Sequence, residues 1–466
     1  MSRVAVVGGG ISGLAAAWEL TGGGNGPASG GPEVVVLEAS PRLGGPLHSV
    51  PFGQRMVDVG PDGFLGRRPE ALQLCREVGL EPALAPIAGR GAGVWARGRV
   101  RALPDGLALG IPTRFWPAAR SGILGFRGQM GLARDALLPK PDMRGPIGDR
   151  SIGPLVERKL GRRVVERLVD PLIGGIHAGS VDDMSAAATY PPLLAAAQRS
   201  GSLMRAMRSE APAPAPDAPP LFWAVNGGMA TLVDGVAAAL TGRGVSIQTR
   251  SVVSQLQRDG TGWVLTAATG DMHVDAVVLA LPAHAAGDLL RPHDEEAAGL
   301  LGAIDYASVT TVTLRVDLGS VPGPLIGTGF LVPRRSGRNE EWVVTAATYL
   351  SQKWSHLAHE GELLLRASLG RLGDTRTADW NDTEIVTRVW EELGTLMGLT
   401  GAPLESMVTR WPDAFPQYRV HHLLRSAGVE SGVARLGGVA VAGASYRGVG
   451  IPACIASGRA AGLALV

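Results

Sequence analysis

The residues best able to do chemistry in this chain stand at its start, where Gly8-Gly9-Gly10-Ile11-Ser12-Gly13 satisfies a G-x-G-x-x-G spacing. The run follows Val4-Ala5-Val6-Val7, which reads as a buried parallel strand. It precedes Ser12 to Leu20, where Ile11, Leu14, Ala15 and Trp18 repeat at helical spacing. Between strand and helix the glycines have separate duties. Gly8 permits a tight turn, Gly10 lets backbone approach a pyrophosphate, and Gly13 lets helix and strand pack closely. The helix N-terminus then presents oriented N–H groups and partial positive charge to phosphate. A glycine turn also occurs as a plain structural loop, so a second contact is needed. Glu38 supplies it at the end of another buried strand, Val34 to Leu37, where a carboxylate accepts hydrogen bonds from ribose hydroxyls and repels a 2′-phosphate. Its distance from Gly13 exceeds the usual about 20 residues by roughly the length of a Gly-rich insertion, Thr21 to Pro32, expected as a surface loop. These residues together specify an adenine dinucleotide.

Glu38-Ala39-Ser40-Pro41-Arg42-Leu43-Gly44-Gly45 adds an arginine and paired glycines just past the ribose contact. This combination resembles the dinucleotide-binding motif of FAD-dependent amine oxidases and their relatives, with NAD as the alternative ligand. At the far end, Gly437-Gly438-Val439-Ala440-Val441-Ala442-Gly443-Ala444-Ser445 resembles the strand by which such proteins return to the flavin. Gly448-Val449-Gly450-Ile451-Pro452 then opens a second helix, whose dipole would stabilise negative charge on the N1–C2=O edge of a reduced flavin.

The elements that must position these groups follow from patterning. Helices are expected at Ala71 to Leu80, Leu232 to Leu240, Asp382 to Met397 and Pro452 to Leu465, and a mainly helical lobe from Pro112 to about Arg208. Strands are expected at Trp95 to Leu103, Ser246 to Thr249, Trp263 to Ala267, Ala276 to Leu281, Val309 to Val316, Gly329 to Val332, Trp342 to Ala347, Glu362 to Ser368 and Val439 to Ala442. Ala211 to Pro220 alternates Ala and Pro and reads as a surface connection. The fold class is therefore α/β: a Rossmann-type FAD-binding domain of amine-oxidase-like kind, a second sheet-containing substrate domain and a helical lobe. Cofactor-binding parts are expected at 1–85, 220–295 and 411–466, a substrate and helical lobe at 86–215, and the second sheet at 296–410.

At 466 residues, two or three lobes are the natural expectation. Forty-four basic against 42 acidic side chains give no bulk electrostatic reason for nucleic-acid binding. Cys75 and Cys454 form no metal-ligand spacing or disulfide framework, so no metal is expected and a reducing, cytoplasmic setting is. No apolar run reaches the length of a membrane span, and Val4 to Val7 is too short for a signal-peptide core; a peripheral membrane contact stays open. The sequence assigns no oligomeric state.

Asp58-Val59-Gly60-Pro61-Asp62-Gly63-Phe64, Gly175-Ile176-His177-Ala178-Gly179, Phe330-Leu331-Val332-Pro333, Trp411-Pro412 with Pro416-Gln417-Tyr418, and Ala442 to Gly450 occur in an order that resembles the protoporphyrinogen/coproporphyrinogen III oxidase family across essentially the whole chain. The resemblance implies oxidation of a porphyrinogen to a porphyrin in haem biosynthesis, in three two-electron dehydrogenations at FAD, with O2 reduced to H2O2 each time. The gain of aromaticity drives the reaction, so the protein mainly positions the ring and excludes water, and no catalytic acid or base is assigned. Cofactor contacts implied by the resemblance are Gly8, Gly9, Gly10, Ile11, Ser12, Gly13, Glu38, Ala39, Arg42, Gly44, Gly45, Gly60, Pro61, Asp62, Gly63, Val253 through its backbone, Trp411, Gly443, Val449, Gly450 and Ile451. The plain reading of Val253 is ordinary strand packing, and Trp411 reads equally as core aromatic filler. Pro46 departs from the larger or basic residue frequent after the paired glycines.

On the substrate side, many protoporphyrinogen oxidases carry a propionate-clamping arginine where this sequence has Ala92. Arg97, Arg99 and Arg101 alternate nearby and would put guanidiniums on one face, which suits the four propionates of coproporphyrinogen III better than the two of protoporphyrinogen IX. A solvated basic edge strand is the plain alternative. Gly175 and Gly179 are expected to line the pocket through backbone groups, with His177 packed rather than catalytic. More distant readings are a flavin amine oxidase, for which five tyrosines leave few ways to build an aromatic cage, a polyene desaturase, and a non-catalytic Rossmann-type binding protein.

Overall fold

The computed structural model describes residues 2–26, 30–138, 148–199, 201–210, 219–334 and 342–466. The expected Ala-Pro connection lies outside these residues over 211–218, as does the 27–29 part of the Gly-rich insertion. The chain divides into two compact units, one of Met1–Pro86, Pro219–Asp305 and His422–Val466, the other of Ile87–Ala218 and Tyr306–His421.

The first unit is built on a five-stranded parallel sheet with β1 (Arg3–Val7) at its centre. The helix α1 (Ile11–Leu20) carries the chain to β2 (Glu33–Leu37), and Ser246–Gln248 lies beyond β2. Ala276–Leu279 and then Val439–Val441 pair on the other side of β1. Successive connections thus leave β1 in opposite directions, and the crevice at its carboxyl end is where open α/β sheets bind ligands. Val4, Val6, Val36 and Val278 share one face and are buried in a core with helix residues such as Leu14, Val233 and Ile455, while strands of a second, antiparallel sheet pack near Arg3–Val7 and Ala276–Leu279, so both faces are covered, which explains the unbroken apolar runs in the sequence.

An antiparallel three-stranded sheet, Val253–Asp259, Gly262–Ala267 and Gly270–Val274, interrupts this unit between two of its parallel strands. Only Leu256 is buried in the first of these strands, so its mostly polar sequence carried no strand signal.

The second unit holds a seven-stranded sheet ordered Glu405–Pro416, Tyr306–Asp317, Glu362–Leu369, Val344–Tyr349, Gly329–Leu331, Gly93–Ala96, Arg99–Ala102. All pairings are antiparallel except Gly329–Leu331 with Gly93–Ala96. The helix Asp382–Met397 starts in a capping box between Asn381 and Glu384 and stops at left-handed Gly398. It buries Ile385, Val389, Leu393 and Leu396 in the sheet's apolar cluster, each worth about 1.5–3 kcal/mol. Leu393→Ala would cost about 2–5 kcal/mol there.

The expected helical lobe is part of this same unit, with its own core around Ile152, Val156, Leu160, Val164 and Leu168. Within it Val165–Gly174 is π-helical and contains Pro171, which has no N–H to give and excludes a regular α-helical ladder. The sequence boundaries at 295/296 and 410/411 differ from the structural ones at 305/306 and 421/422. The strand Glu405–Pro416 pairs along its length with Tyr306–Asp317, which keeps Trp411 and the residues around it in the second unit.

Candidate functional site

In the first unit the glycine turn divides into closed and open positions. Gly8 has φ +109°, donates its N–H to the Leu37 carbonyl at 2.8 Å, and a Cβ there would meet the Ala280 carbonyl oxygen at 2.3 Å. A Cβ on Gly13 would lie 1.9 Å from the Gly8 carbonyl oxygen. These two glycines are demanded by the fold. At Gly10 a Cβ would meet nothing within 4 Å, and at Gly45 only the Gly10 Cα at 3.9 Å. Those two face open space, as a cradle for a ligand must. Gly10 caps α1 with no side-chain bond, no acid stands in the first turn, and the first N–H groups of the helix have no intrahelical partner.

Glu38 is fixed beside this cradle. Its Oε2 accepts from Gly9 N–H at 2.7 Å and its Oε1 from Ser40 N–H at 2.8 Å, which leaves each oxygen a further lone pair for a hydroxyl. Its backbone carbonyl accepts from Ser251 N–H at 2.8 Å and the Ser40 carbonyl from Arg250 N–H at 3.0 Å. The strand that begins at Val253 is thereby brought to the ribose side, and a bulge between Val253 and Gln255 breaks its ladder there. Gly44 donates to the Gly9 carbonyl at 2.9 Å, so the paired glycines lie along the turn. Arg42 reaches the Leu43 carbonyl at 3.2 Å, and burial pulls its guanidinium below the ordinary value, opposed by Glu38. His48 went unnoticed in the sequence; burial and then the charge of Arg42 lower its pKa. The Val59 N–H donates to the His48 carbonyl at 3.0 Å, tying down the start of the Gly60-Pro61-Asp62-Gly63 loop, in which Asp62 is buried.

The second helix N-terminus joins the first by close packing. Gly450 caps Ile451–Leu463 without a side-chain bond or a first-turn acid. Further along, a Cβ on Gly458 would lie 2.0 Å from the Ser12 carbonyl oxygen and one on Gly462 2.7 Å from that of Ala16, so this helix rests directly on the α1 backbone. Gly443, at φ +133°, donates to Ser457 Oγ at 3.1 Å and leaves its Cβ direction almost open. Cys454 is buried beside Ser12 and its thiol is pushed up to about 11 by burial, while Cys75 is pushed up to about 12. Both are inert apolar filler at neutral pH. An open glycine cradle, two uncapped helix N-termini and a ribose-side carboxylate fit a flavin adenine dinucleotide. The sequence missed Ser457 and the Gly458/Gly462 contacts because they depend on which helices touch.

In the second unit, Gly175 and Gly179 behave differently from each other. A Cβ on Gly175 would meet only Leu331 Cδ2, at 3.6 Å. One on Gly179 would lie 2.2 Å from Gln417 Oε1 and 2.5 Å from Met184 Cε. Gly179 N–H donates to the Gly174 carbonyl at 3.0 Å, and its own carbonyl accepts from Arg334 at 2.6 Å. Gly179 is therefore a packing glycine, a correction to its expected pocket-lining backbone. Gln417 also donates to the His177 carbonyl at 2.9 Å. Burial lowers the His177 imidazole to about 4, so it is neutral at physiological pH. Beside this segment Asp170 faces two guanidiniums, buried Arg371 at 3.3 Å and half-exposed Arg334 at 3.5 Å. No sequence spacing marks that trio, which comes from the π-helical turn and from two separate strand ends.

The arginine series is corrected as well. Arg97, at φ +54°, and Gly98, at φ +77°, form the hairpin turn between Gly93–Ala96 and Arg99–Ala102, so Arg97 stands at an exposed tip and does not share a strand face with Arg99 and Arg101. The three remain close enough that Arg99 and Arg97 help to lower the half-buried Arg101, after burial. Trp411 lies opposite Val309 in the second unit's sheet.

The whole chain has relatives. It is 34% identical to coproporphyrinogen III oxidase of Bacillus subtilis (strain 168) over 98% of this chain and 97% of that protein. It is 29% identical to human protoporphyrinogen oxidase over 99% and 98%. A solved structure from Exiguobacterium sp. 255-15, provisionally named a protoporphyrinogen oxidase, superposes with a TM-score of 0.88 at 30% identity, covering 100% of this chain and 98% of that one. Residues 11–463 match the model of the flavin containing amine oxidoreductases. With a cradle that fits FAD at one end of its sheet and a match across nearly all its length, the chain belongs to the flavin containing amine oxidoreductase family.

Proposed function

We propose that this protein oxidises coproporphyrinogen III to coproporphyrin III with FAD, removing six electrons and six protons while three O2 become three H2O2. The observation that carries the reading is the likeness, over 98% of this chain, to a protein named coproporphyrinogen III oxidase. Bound FAD supplies two-electron acceptance from a C–H of the macrocycle and return of those electrons to O2.

In this reading the first unit holds the cofactor: α1 and the Gly450–Ile451 helix end face its anionic groups, and Glu38 holds the ribose. The second unit receives the substrate. Gly175 leaves room for a flat ring against Leu331. Among the described residues, Arg334 and Arg371 both pair with Asp170, while Asp374, which also acts on Arg371, pairs with Arg376, so three guanidiniums meet two carboxylates and net positive charge is left to attract a propionate. His177 stays neutral and adds neither charge nor a proton donor at physiological pH. Placement of Arg97 at a turn removes the alternation argument for four propionates, so the choice of coproporphyrinogen III over protoporphyrinogen IX now rests on the relatives. A cytoplasmic setting belongs to the same proposal, supported by two buried free thiols. Among the described residues no helix is long and apolar enough to cross a membrane.

The test is anaerobic mixing with each porphyrinogen separately, followed by admission of air and measurement of porphyrin fluorescence with autoxidation subtracted. Faster formation of coproporphyrin III, with three peroxides per porphyrin, is expected. Catalysis of neither oxidation would sink the reading, and a preference for protoporphyrinogen IX would reverse the substrate choice.

A further inference from the structure

The helical part of the second unit contains a pocket of about 470 Å³ lined by none of the residues assigned above to cofactor or substrate. Its walls include Phe115, Trp116 and Met204, and the mostly aliphatic parts of three exposed arginines, Arg114, Arg205 and Arg208, complete the lining, so that their charged ends stand toward its solvent side. Arg205 and Arg208 are three apart on the helix Leu203–Glu210 and so share a face, while Arg114 immediately precedes the helix Phe115–Arg120. Nearby acids are committed elsewhere. Asp135 is buried and accepts from Ser202 Oγ at 2.6 Å and from Leu203 N–H at 3.0 Å, and Glu210 pairs with Arg199. Among the described residues none of the three pocket arginines has a carboxylate partner. Three like charges over an apolar wall repel one another and attract an anion. Trp116 of this wall is 63% exposed, and Leu137 and Leu138, which follow the lining residue Ala136 in the chain, are 77% and 71% exposed.

We propose that this pocket binds an amphiphilic anion, an alkyl or acyl chain headed by a phosphate or carboxylate. The head would sit among Arg114, Arg205 and Arg208, and the chain would lie on Phe115, Trp116 and Met204 and leave across Leu137 and Leu138. Charge complementarity selects this occupant. A bare anion leaves the aromatic wall unused, and a neutral alkane gains nothing from the three exposed guanidiniums. Volume agrees, since pockets for small molecules fall at about 300–1,000 Å³. The inference stands whether or not the porphyrinogen reading holds, because the two share no residue.

Titration of the FAD-loaded full chain with decyl phosphate below its micellar concentration, followed by calorimetry, tests it. One molecule should bind per chain. Octyl phosphate should bind more weakly by about fourfold per CH2 removed, the equivalent of about 0.8 kcal/mol each. Decanol, and decyl phosphate on R205A/R208A, should each bind at least tenfold more weakly, and R114Q gives an independent loss from a separate segment. All three arginines are exposed, so flavin absorbance and melting temperature should not change. Cosedimentation with phosphatidylglycerol vesicles that R205A/R208A abolishes would identify a membrane lipid as the source of the ligand. Binding of the monomer without cosedimentation would identify a free amphiphile. Equal affinity for inorganic phosphate, equal affinity for decanol, or unaltered binding by R205A/R208A would each overturn the proposal.

Discussion

Two glycines of one turn, three residues apart, should fail in different ways when given a methyl group. In Gly13→Ala the new Cβ would lie 1.9 Å from the Gly8 carbonyl oxygen and 3.2 Å from Ala280 Cβ, both parts of the sheet's packed end. The backbone must move, and overpacking of this kind costs about 1–3 kcal/mol or more. Gly10→Ala meets no atom within 4 Å, and Gly10 has φ −71° and ψ 173°, which any residue adopts. Its folding cost should be confined to a poorer helix cap, up to about 1 kcal/mol. The methyl instead stands where the pyrophosphate must approach. Displacing one charge-assisted N–H···O bond costs about 1.5–3 kcal/mol, which is roughly a 10- to 150-fold rise in the FAD dissociation constant. Deflavinated protein titrated with FAD by fluorescence quenching reads the second quantity, and urea unfolding of the same protein reads the first. Gly10→Ala should bind FAD poorly with nearly native stability, whereas Gly13→Ala should be clearly destabilised before any cofactor is added. Wild-type FAD affinity in Gly10→Ala, or equal destabilisation of both variants, would refute the division of the turn into packing and ligand positions.

Three other outcomes follow from the second unit. His177 has a folded pKa of about 4 against 6.5 for the free side chain, so the unfolded chain binds more protons between these values and stability falls as pH drops from about 6.5 to about 4; urea unfolding should show a loss of at most about 3 kcal/mol that His177→Gln flattens, and an unchanged pH slope in that variant would reject the assignment. Asp170→Asn leaves buried Arg371 without its carboxylate and should cost about 3–5 kcal/mol in the same assay; a loss under 1 kcal/mol would mean that the Asp170 contacts at 3.3 Å and 3.5 Å do little. Gly179→Ala, with its Cβ 2.2 Å from Gln417 Oε1, should lower the melting temperature, while Gly175→Ala should fold normally and raise KM for porphyrinogen; the reverse pattern would undo the assignment of the two glycines.

Much of this protein is legible in one dimension because the relevant signals are local. Val4 to Val7 and Val34 to Leu37 are continuous apolar runs because both sheet faces are covered, and Gly8 to Gly13 must be glycine-rich because strand, turn and helix follow one another within a few residues. Asp382–Met397 could be bounded to the residue, since Asn381, Glu384 and Gly398 place its ends through neighbouring backbone. Contacts between distant segments left no such trace. Whether Gly10 is open and Gly13 closed depends on where Gly8 and Ala280 stand, and Gly458 is required only because its helix lies on Ser12. Arg97 looked like part of an alternating strand until the left-handed turn at Arg97-Gly98 placed it at a tip. Asp170, Arg334 and Arg371 are 164 and 37 residues apart along the chain, and they meet because a π-helical turn and two strand ends converge. Short-range patterning thus specified the dinucleotide turn and most elements of the fold. Long-range packing settled which glycines are open to a ligand and which charges are left over, because burial and electrostatics belong to neighbours in space and not to neighbours along the chain.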